Sequence, residues 1–314
     1  MKKQIISTTQ IAQICGVSQG TVDRALNNRK GISPKTKEKI LSVAKEYGYR
    51  PNIHARSMAG GKSQLIGVVV FDLKNQYFSD IVTSIEKYCS TQNYSIVVMF
   101  TNKDHEKEIQ CIQKLYWMAV DGIILCPVNS GEEYENFLLS LHIPVVTLGN
   151  RLKRIPHVGI NDALAMKDTV EYVLKSGYEK LVYVKPDLHE KNSFAQTERC
   201  NSFIEVCARA GVAYTITGFL NAARELDSQK PTAFICPTDI YAIKLLPVVK
   251  AKQAGIIGFD NIRLIDVIGQ KLDSVAYDVE SAAKAVSDYI ISQKSIPASI
   301  QHKLVCRGSL AMHA

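Results

Sequence analysis

The spacing of apolar residues changes along the chain. In the first fifty residues they recur at helical intervals in three short blocks. Ser7-Thr8-Thr9-Gln10 has the spacing of a capping box and opens a helix with Ile11 and Ile14 on one face, stopped by Gly16. Ser18 caps a second helix, 19–26, whose Val22 and Leu26 should face inward, and Asn27-Asn28 ends it. Ser33-Pro34 is a cap with proline at the first helical position. It starts a third helix with Ile40, Leu41, Ala44 and Tyr47 at core spacing, ending at Gly48 before Pro51. Two short helices across Cys15-Gly16-Val17-Ser18, closed by a third, predict a helix-turn-helix.

From Leu65 the pattern becomes short apolar strands alternating with amphipathic helices. Strands are predicted at 65–71, 95–100, 121–126 and 144–148. The helices between them are one through Ile81, Ile85 and Tyr88, then 104–118 and 132–141. A second series begins near Val158: helix 162–176, strand 180–185, helix 192–210, strands 213–217 and 232–236, helix 239–250 and strand 255–258. Repeated strand–helix units imply parallel sheets covered on both faces, so the fold class is α/β. Two series give two doubly wound subdomains behind an all-α N-terminal domain, with a ligand expected at strand C-termini between them.

Charge sharpens this division. The 314 residues carry a net +8, but residues 1–62 hold twelve Lys/Arg against Asp23, Glu38 and Glu46, a net +9, and the rest carries −1. A small basic module on a neutral body is the footprint of polyanion binding. No apolar run approaches the ~18–20 residues of a membrane span. The N-terminus lacks the apolar region of a signal peptide, so a cytoplasmic protein is expected. Eight cysteines without a C-x-x-C pair and seven histidines without a ligand cluster argue against disulfides and a structural metal, and no cofactor motif is present.

In a helix-turn-helix the start of the second helix enters the major groove. Gln19 and Thr21 should face the bases, and Arg24 can reach a base edge or a phosphate. Asp23 could accept from a cytosine amino group, or pair with Arg24 or Lys30. A three-helix protein-binding domain is the bland alternative.

The run Ile11-Ala12-Gln13-Ile14-Cys15-Gly16-Val17-Ser18-Gln19-Gly20-Thr21-Val22-Asp23-Arg24-Ala25-Leu26-Asn27 resembles the DNA-binding signature of the lactose/galactose repressor (LacI/GalR) family. So does Tyr49-Arg50-Pro51-Asn52-Ile53-His54-Ala55-Arg56-Ser57-Met58. The family pattern usually has Ser at Asp23 and a bulkier residue at Gly20. The resemblance implies DNA contacts from Thr8, Ser18, Gln19, Gly20, Thr21, Arg24 and Asn27. It also implies a hinge helix whose Asn52, Ala55 and Met58 meet the minor groove, with Met58 as the wedge. A flexible linker with Met58 packed on the body is the alternative. The implied domains are 1–50, a hinge at 51–63 and an effector domain at 64–314. The effector domain would divide into an N-subdomain (about 64–157 plus 279–295) and a C-subdomain (about 158–275 plus 300–314).

The body resembles the periplasmic-binding-protein-like domain of the same family through Ile66-Gly67-Val68-Val69-Val70, Asn75-Gln76-Tyr77-Phe78, Val120-Asp121-Gly122-Ile123-Ile124 and Ile257-Gly258-Phe259-Asp260. Crossings between subdomains are expected near 155–161, 274–279 and 294–300. The resemblance places Asn75, Tyr77, Phe78, Asn150, Arg151, Arg199, Thr238, Asp239 and Asp260 at the effector. Aromatic rings there would stack on a sugar or base, and the polar groups would meet its hydroxyls. Read as structure instead, Phe78 fills the core, Asp260 caps a helix near Asn261, and Arg199 pairs with Glu198 or Glu205. The expected protein is a homodimeric or tetrameric repressor of a near-palindromic operator, switched by a sugar-like effector. A protein co-regulator in place of the effector, a transport binding protein and an enzyme are the competing readings.

Overall fold

The computed structural model describes residues 6–26, 28–49, 61–186, 192–226 and 229–310. The chain divides into two compact units, Met1–Ser63 and Gln64–Ala314.

The first unit contains α1 (Thr8–Cys15), α2 (Gln19–Leu26) and α3 (Pro34–Glu46). Ser7 and Gln10 cap α1 reciprocally, and Gly16 ends it at φ +67°, a left-handed conformation that suits glycine. Ser33 accepts from the Thr36 N–H ahead of Pro34. The core joins Ile11, Ala12 and Cys15 of α1 to Val22, Ala25, Ile40 and Ala44. Ile14, Leu41 and Tyr47 were expected inside but are over 40% exposed. With helices this short, one stripe two residues wide fills the core, and positions a third of a turn away face outward. Asp23 pairs with Arg29 at 3.2 Å, and neither Arg24 nor Lys30 is its partner in that ion pair.

The second unit holds two sheets. The first runs β1 (Leu65–Val70), β2 (Ser95–Phe100), β3 (Gly122–Leu125), β4 (Val145–Leu148) and β5 (His157–Val158), all parallel, in the spatial order 2-1-3-4-5. Helices α4 (Gln76–Thr91), α5 (His105–Trp117) and α6 (Glu132–Ser140) connect its strands. Gly67 lets α5 lie close on β1, since a Cβ there would stand 2.6 Å from a Leu115 methyl.

The second sheet runs β6 (Lys180–Lys185), β7 (Ala213–Gly218), β8 (Thr232–Ile235), β9 (Gly255–Phe259), β10 (Asp273–Tyr277) and β11 (His302–Val305), in the order 11-10-9-8-6-7. It is parallel except that β11 runs against β10. It is flanked by α7 (Asp162–Lys175), α8 (Phe194–Ala210), α9 (Phe219–Ala222), α10 (Asp239–Ala251) and α11 (Leu264–Val267). Strands β10 and β11 were not anticipated. They are short, and β11 (His-Lys-Leu-Val) is only partly buried, so neither shows a continuous apolar run. The chain then returns through α12 (Val279–Ser292), which packs on α4 in the core of the first sheet. Three stretches therefore pass between the sheets: after β5, between β10 and α12, and between α12 and β11, where Ile160 and Ile300 form a parallel bridge.

Ile40 is wholly buried in the core of the first unit. Ile40→Ala should cost about 2–5 kcal/mol, comparable to the whole stability of so small a unit. Calorimetry and circular dichroism should show the first unit's helices melting early while the second unit's transition stays in place. A melting profile identical to that of the unsubstituted protein would refute this.

Candidate functional site

Two separate surfaces concentrate the chemistry. On the first unit, Ser18 opens α2 by accepting from the Thr21 N–H at 3.3 Å, and the two hydroxyls lie 2.9 Å apart. Gln19 reaches back to donate to Thr8 Oγ1 at 3.1 Å, which fixes α1 against the start of α2. Thr8, Ser18, Gln19, Gly20, Thr21 and Arg24 are all exposed or half-buried, while Val22 and Ala25 on the opposite side of α2 are buried. A Cβ on Gly20 would meet nothing closer than Ser18 Oγ at 3.9 Å, so packing within this unit does not require glycine there. Asn27, Asn52, Ala55 and Met58 lie outside the described residues.

On the second unit a cleft of about 380 Å³ opens at the C-terminal ends of both sheets' strands. One wall is aromatic. Phe71 follows β1, and α4 begins with Tyr77 and Phe78, with edge-on ring contacts at 5.1 Å (Phe71–Phe78) and 5.3 Å (Tyr77–Phe78). Tyr277, at the end of β10, meets Tyr77 edge-on at 5.5 Å. Phe78 both packs on the core of the first sheet and lines the cleft.

The other wall is ionic and buried. Arg199 of α8 is 7% exposed. Its Nε donates to Asp162 Oδ1 at 2.7 Å, and its other nitrogens donate to the Pro237 carbonyl and, at 3.0 Å, to the Tyr277 hydroxyl. The guanidinium lies 4.4 Å over the Phe259 ring. Asp260 sits at φ +101°, a backbone that residues with a Cβ rarely adopt and that marks stored strain. Its carboxylate accepts from Asn75 Nδ2 at 2.7 Å, with the Tyr277 hydroxyl nearby. Burial pushes the Asp260 carboxyl up to about 6, opposed by these donors and by Arg199. Helix α11 begins at Leu264, so Asp260 does not cap it. Glu205 is engaged by Arg209, leaving Asp162 as the acidic partner of Arg199.

Both rims of the cleft are bridged. On one, Asn75 caps α4 and bonds Asp260, Gln76 Oε1 accepts from the Leu264 N–H at 3.2 Å, and Arg263 pairs with Asp80 at 2.8 Å. On the other, Asn192 donates its N–H to the Val128 carbonyl at 3.0 Å and its side chain to the Arg151 carbonyl. Asn150 donates to the Asn192 carbonyl at 2.9 Å and accepts from the Ala195 N–H. Behind this rim the wholly buried Glu108 accepts from the Val128 and Asn129 N–H groups and from the Tyr134 hydroxyl at 2.6 Å.

Residues 9–52 match the model of the bacterial regulatory proteins of the lacI family. Residues 63–262 match that of periplasmic binding proteins and the sugar binding domain of the LacI family. The chain belongs to the LacI family. As such it is a DNA-binding transcriptional regulator whose larger unit is a sugar-binding type of effector domain. It is 26% identical over 330 residues to catabolite control protein A of Priestia megaterium, covering 97% of this chain and 99% of that one. The lac repressor dimer bound to operator and the anti-inducer ONPF has the same fold, with TM-score 0.82, 18% identity, and coverage of 98% and 100%. A transcriptional regulator CelR–cellobiose complex superposes with TM-score 0.64 at 19% identity, over 97% of this chain and 99% of that one.

Within this LacI-family cleft the structure brings together Asn75, Tyr77, Phe78, Asn150, Arg199, Thr238 and Asp260. Two expected cleft residues lie elsewhere. Arg151 is exposed and does not line the cleft, because the turn after β4 presents its carbonyl to Asn192 and sends its side chain outward. Asp239 is wholly buried beneath the floor, where its carboxylate accepts from the Ile262 N–H at 2.9 Å and from Ser274 Oγ at 2.6 Å. Gly258 makes room for it, since a Cβ there would fall 2.1 Å from Asp239 Oδ1. Sequence reasoning missed Asp162, Tyr277, Asn192 and Gln196, which also line the cleft. The signals available were the placement of Tyr277 in an expected crossing and of Asp162 at a helix start.

Burial, together with the charge of Asp260, pushes the Asp239 carboxyl up to about 8. The folded state thus holds a proton that the unfolded chain releases near pH ~4. Its contribution to stability is fully present below that value and is lost as pH rises through about 8. His157, which burial holds down to about 4, works in the opposite sense, but only below the ~6.5 of an unfolded histidine. Between pH 7 and 8 stability should therefore fall by up to roughly 1 kcal/mol from Asp239. Asp239→Asn should flatten that fall in denaturant titrations; an unchanged slope would exclude Asp239 as its source.

Proposed function

We propose that this LacI-family regulator acts as a homodimeric repressor that reads two half-sites of a near-palindromic operator and is switched by a small, polyhydroxylated, sugar-like ligand in the cleft. The observation that carries the reading is the cleft itself. It sets a ring wall of Phe71, Tyr77, Phe78 and Tyr277 against buried Arg199 and Asp162 and half-buried Asp260. Rings cover the apolar face of a sugar, and polar groups held in fixed geometry meet hydroxyls that would otherwise be buried without partners.

DNA reading is assigned to Thr8 at the start of α1, to Ser18, Gln19, Gly20, Thr21 and Arg24 at and within α2, and to Asn27, Asn52, Ala55 and Met58. Dimerisation is supported by an apolar surface on α9, α10 and α11. All three pack inward on the same face of the second sheet, yet leave Leu220 at 87% and Val267 at 80% exposure, with Val248, Leu264 and Ile268 also exposed. The lac repressor structure is a dimer on its operator, and CelR holds cellobiose, which agrees with both assignments. We read the protein as a cytoplasmic binder without enzymatic turnover. Among the described residues lining the cleft, Asp162 is engaged by Arg199 and Asp260 by Asn75. Among the described residues no helix is long and apolar enough to cross a membrane.

Selection from a randomised duplex library should return a near-palindrome. Arg24→Ala should weaken the selected site by about 1–3 kcal/mol and relax one position in each half-site. Selection of an asymmetric single site would refute the dimeric reading. An unchanged preference in the variant would refute base reading by Arg24.

A further inference from the structure

The rim that carries Asn150 and Asn192 takes its shape from a residue that does not line the cleft. Glu108 stands on α5 and is wholly buried. Its Oε2 accepts from the Val128 N–H at 2.7 Å, and its Oε1 from the Asn129 N–H at 3.1 Å. Asn129 Nδ2 and the Tyr134 hydroxyl also donate to Oε1, at 3.0 and 2.6 Å. A carboxylate is costly to bury without donors, so the loop after β3 is held with both of its N–H groups on Glu108. In a trans peptide the N–H and C=O point in opposite directions. Two successive trans peptides turned inward at their N–H groups therefore turn the Pro127 and Val128 carbonyls outward. There the Pro127 carbonyl accepts from Asn150 Nδ2 at 3.3 Å, and the Val128 carbonyl accepts from the Asn192 N–H of the other subdomain at 3.0 Å.

We infer that Glu108 is a positioning residue for the effector cleft, which aims these two carbonyls and so sets the bonds that join the subdomains at this rim. Asn150, oriented by Pro127, donates to the Asn192 carbonyl at 2.9 Å. Asn192 in turn accepts from the Phe194 N–H at the start of α8, the helix of Arg199. One buried carboxylate on the first subdomain thus reaches, through two peptide planes, the beginning of a cleft helix on the second. A ligand that opens this rim has to break bonds whose acceptors Glu108 holds in place.

The test is amide hydrogen exchange on the full chain, read at single residues by mass spectrometry. Glu108→Gln puts an NH2 group where one oxygen accepted, so at least one peptide N–H faces a donor. The Asn192 amide, on the other subdomain, should then exchange about 10-fold faster or more. The Cys126 N–H, bonded at 2.8 Å to the Val69 carbonyl just before the loop, should change by less than about 3-fold. General loosening would speed Cys126 as much as Asn192, which separates a merely structural role from the proposed one. That result overturns the inference, as does an Asn192 rate left unmoved. If the variant does not fold, the unsubstituted protein decides. Its Val128, Asn129 and Asn192 amides should be protected together, and a freely exchanging Asn192 beside protected Val128 and Asn129 overturns the inference equally. Exchange is read without a ligand, so this placement is tested apart from the sugar-like ligand proposed above, on which only its consequence for binding rests.

Discussion

A guanidinium cannot be enclosed in a protein without a counter-charge, because the cost of removing it from water exceeds what packing returns. Arg199 is enclosed, and much of the cleft is arranged around that fact. Asp162 at the start of α7 neutralises it, the Pro237 carbonyl and the Tyr277 hydroxyl each take one further N–H, and Phe259 lies beneath it. These partners come from helix starts, strand ends and a crossing between sheets, so satisfying one charge fixes the relative positions of five segments. Removing Asp162 alone would leave a buried cation without a counter-ion, which is more damaging than replacing the pair together.

The same logic extends one step further to Asp260. Its strained backbone aims the carboxylate at Asn75 across the cleft, and the neighbouring Asn261, also at positive φ, is held by the Ser274 hydroxyl and by Arg307. The strain is tolerable because the turn is over-determined by these bonds. Beneath it Asp239 stays protonated at neutral pH, so the floor adds no second charge beside Asp260. Two carboxylates near each other thus take different protonation states, the deeper one neutral and the one at the ligand side mostly ionised.

The fold was legible wherever one element carries its own signal. Capping serines 7, 18 and 33, the glycine stop at 16 and the apolar runs at β1, β3 and β8 each declare a local structure. Legibility failed where burial is a property of the assembly. Ile14 and Leu41 are as apolar as Ile11 and Ile40, and only the packing of three helices decides which pair is inside. At the cleft, Tyr77 and Asp260 were placed by the family resemblance, and both follow strand ends, where parallel sheets open. Asp239 could not be distinguished from them by position. It follows β8 as Asp260 follows β9, and only the Gly258 gap and the Ser274 hydroxyl show that it turns into the floor. Asp162 was invisible because its role depends on a residue 37 positions away.

The bridged rims constrain how a ligand can act. A ligand shifts a conformational equilibrium only by the difference between its affinities for the two states. Here the arrangement seen already has bonds of its own across the cleft: Asn75 to Asp260, Gln76 to the Leu264 N–H, Arg263 to Asp80 and Asn192 to Val128. Closure therefore does not depend on the ligand for its contacts. A ligand that donated to Asp260 would share that acceptor with Asn75. A ligand that donates to the free lone pairs of Asp260 and leaves Asn75 in place adds to the closed state. One that displaces Asn75 exchanges a bond across the rim for a bond to itself and loosens the closure it occupies.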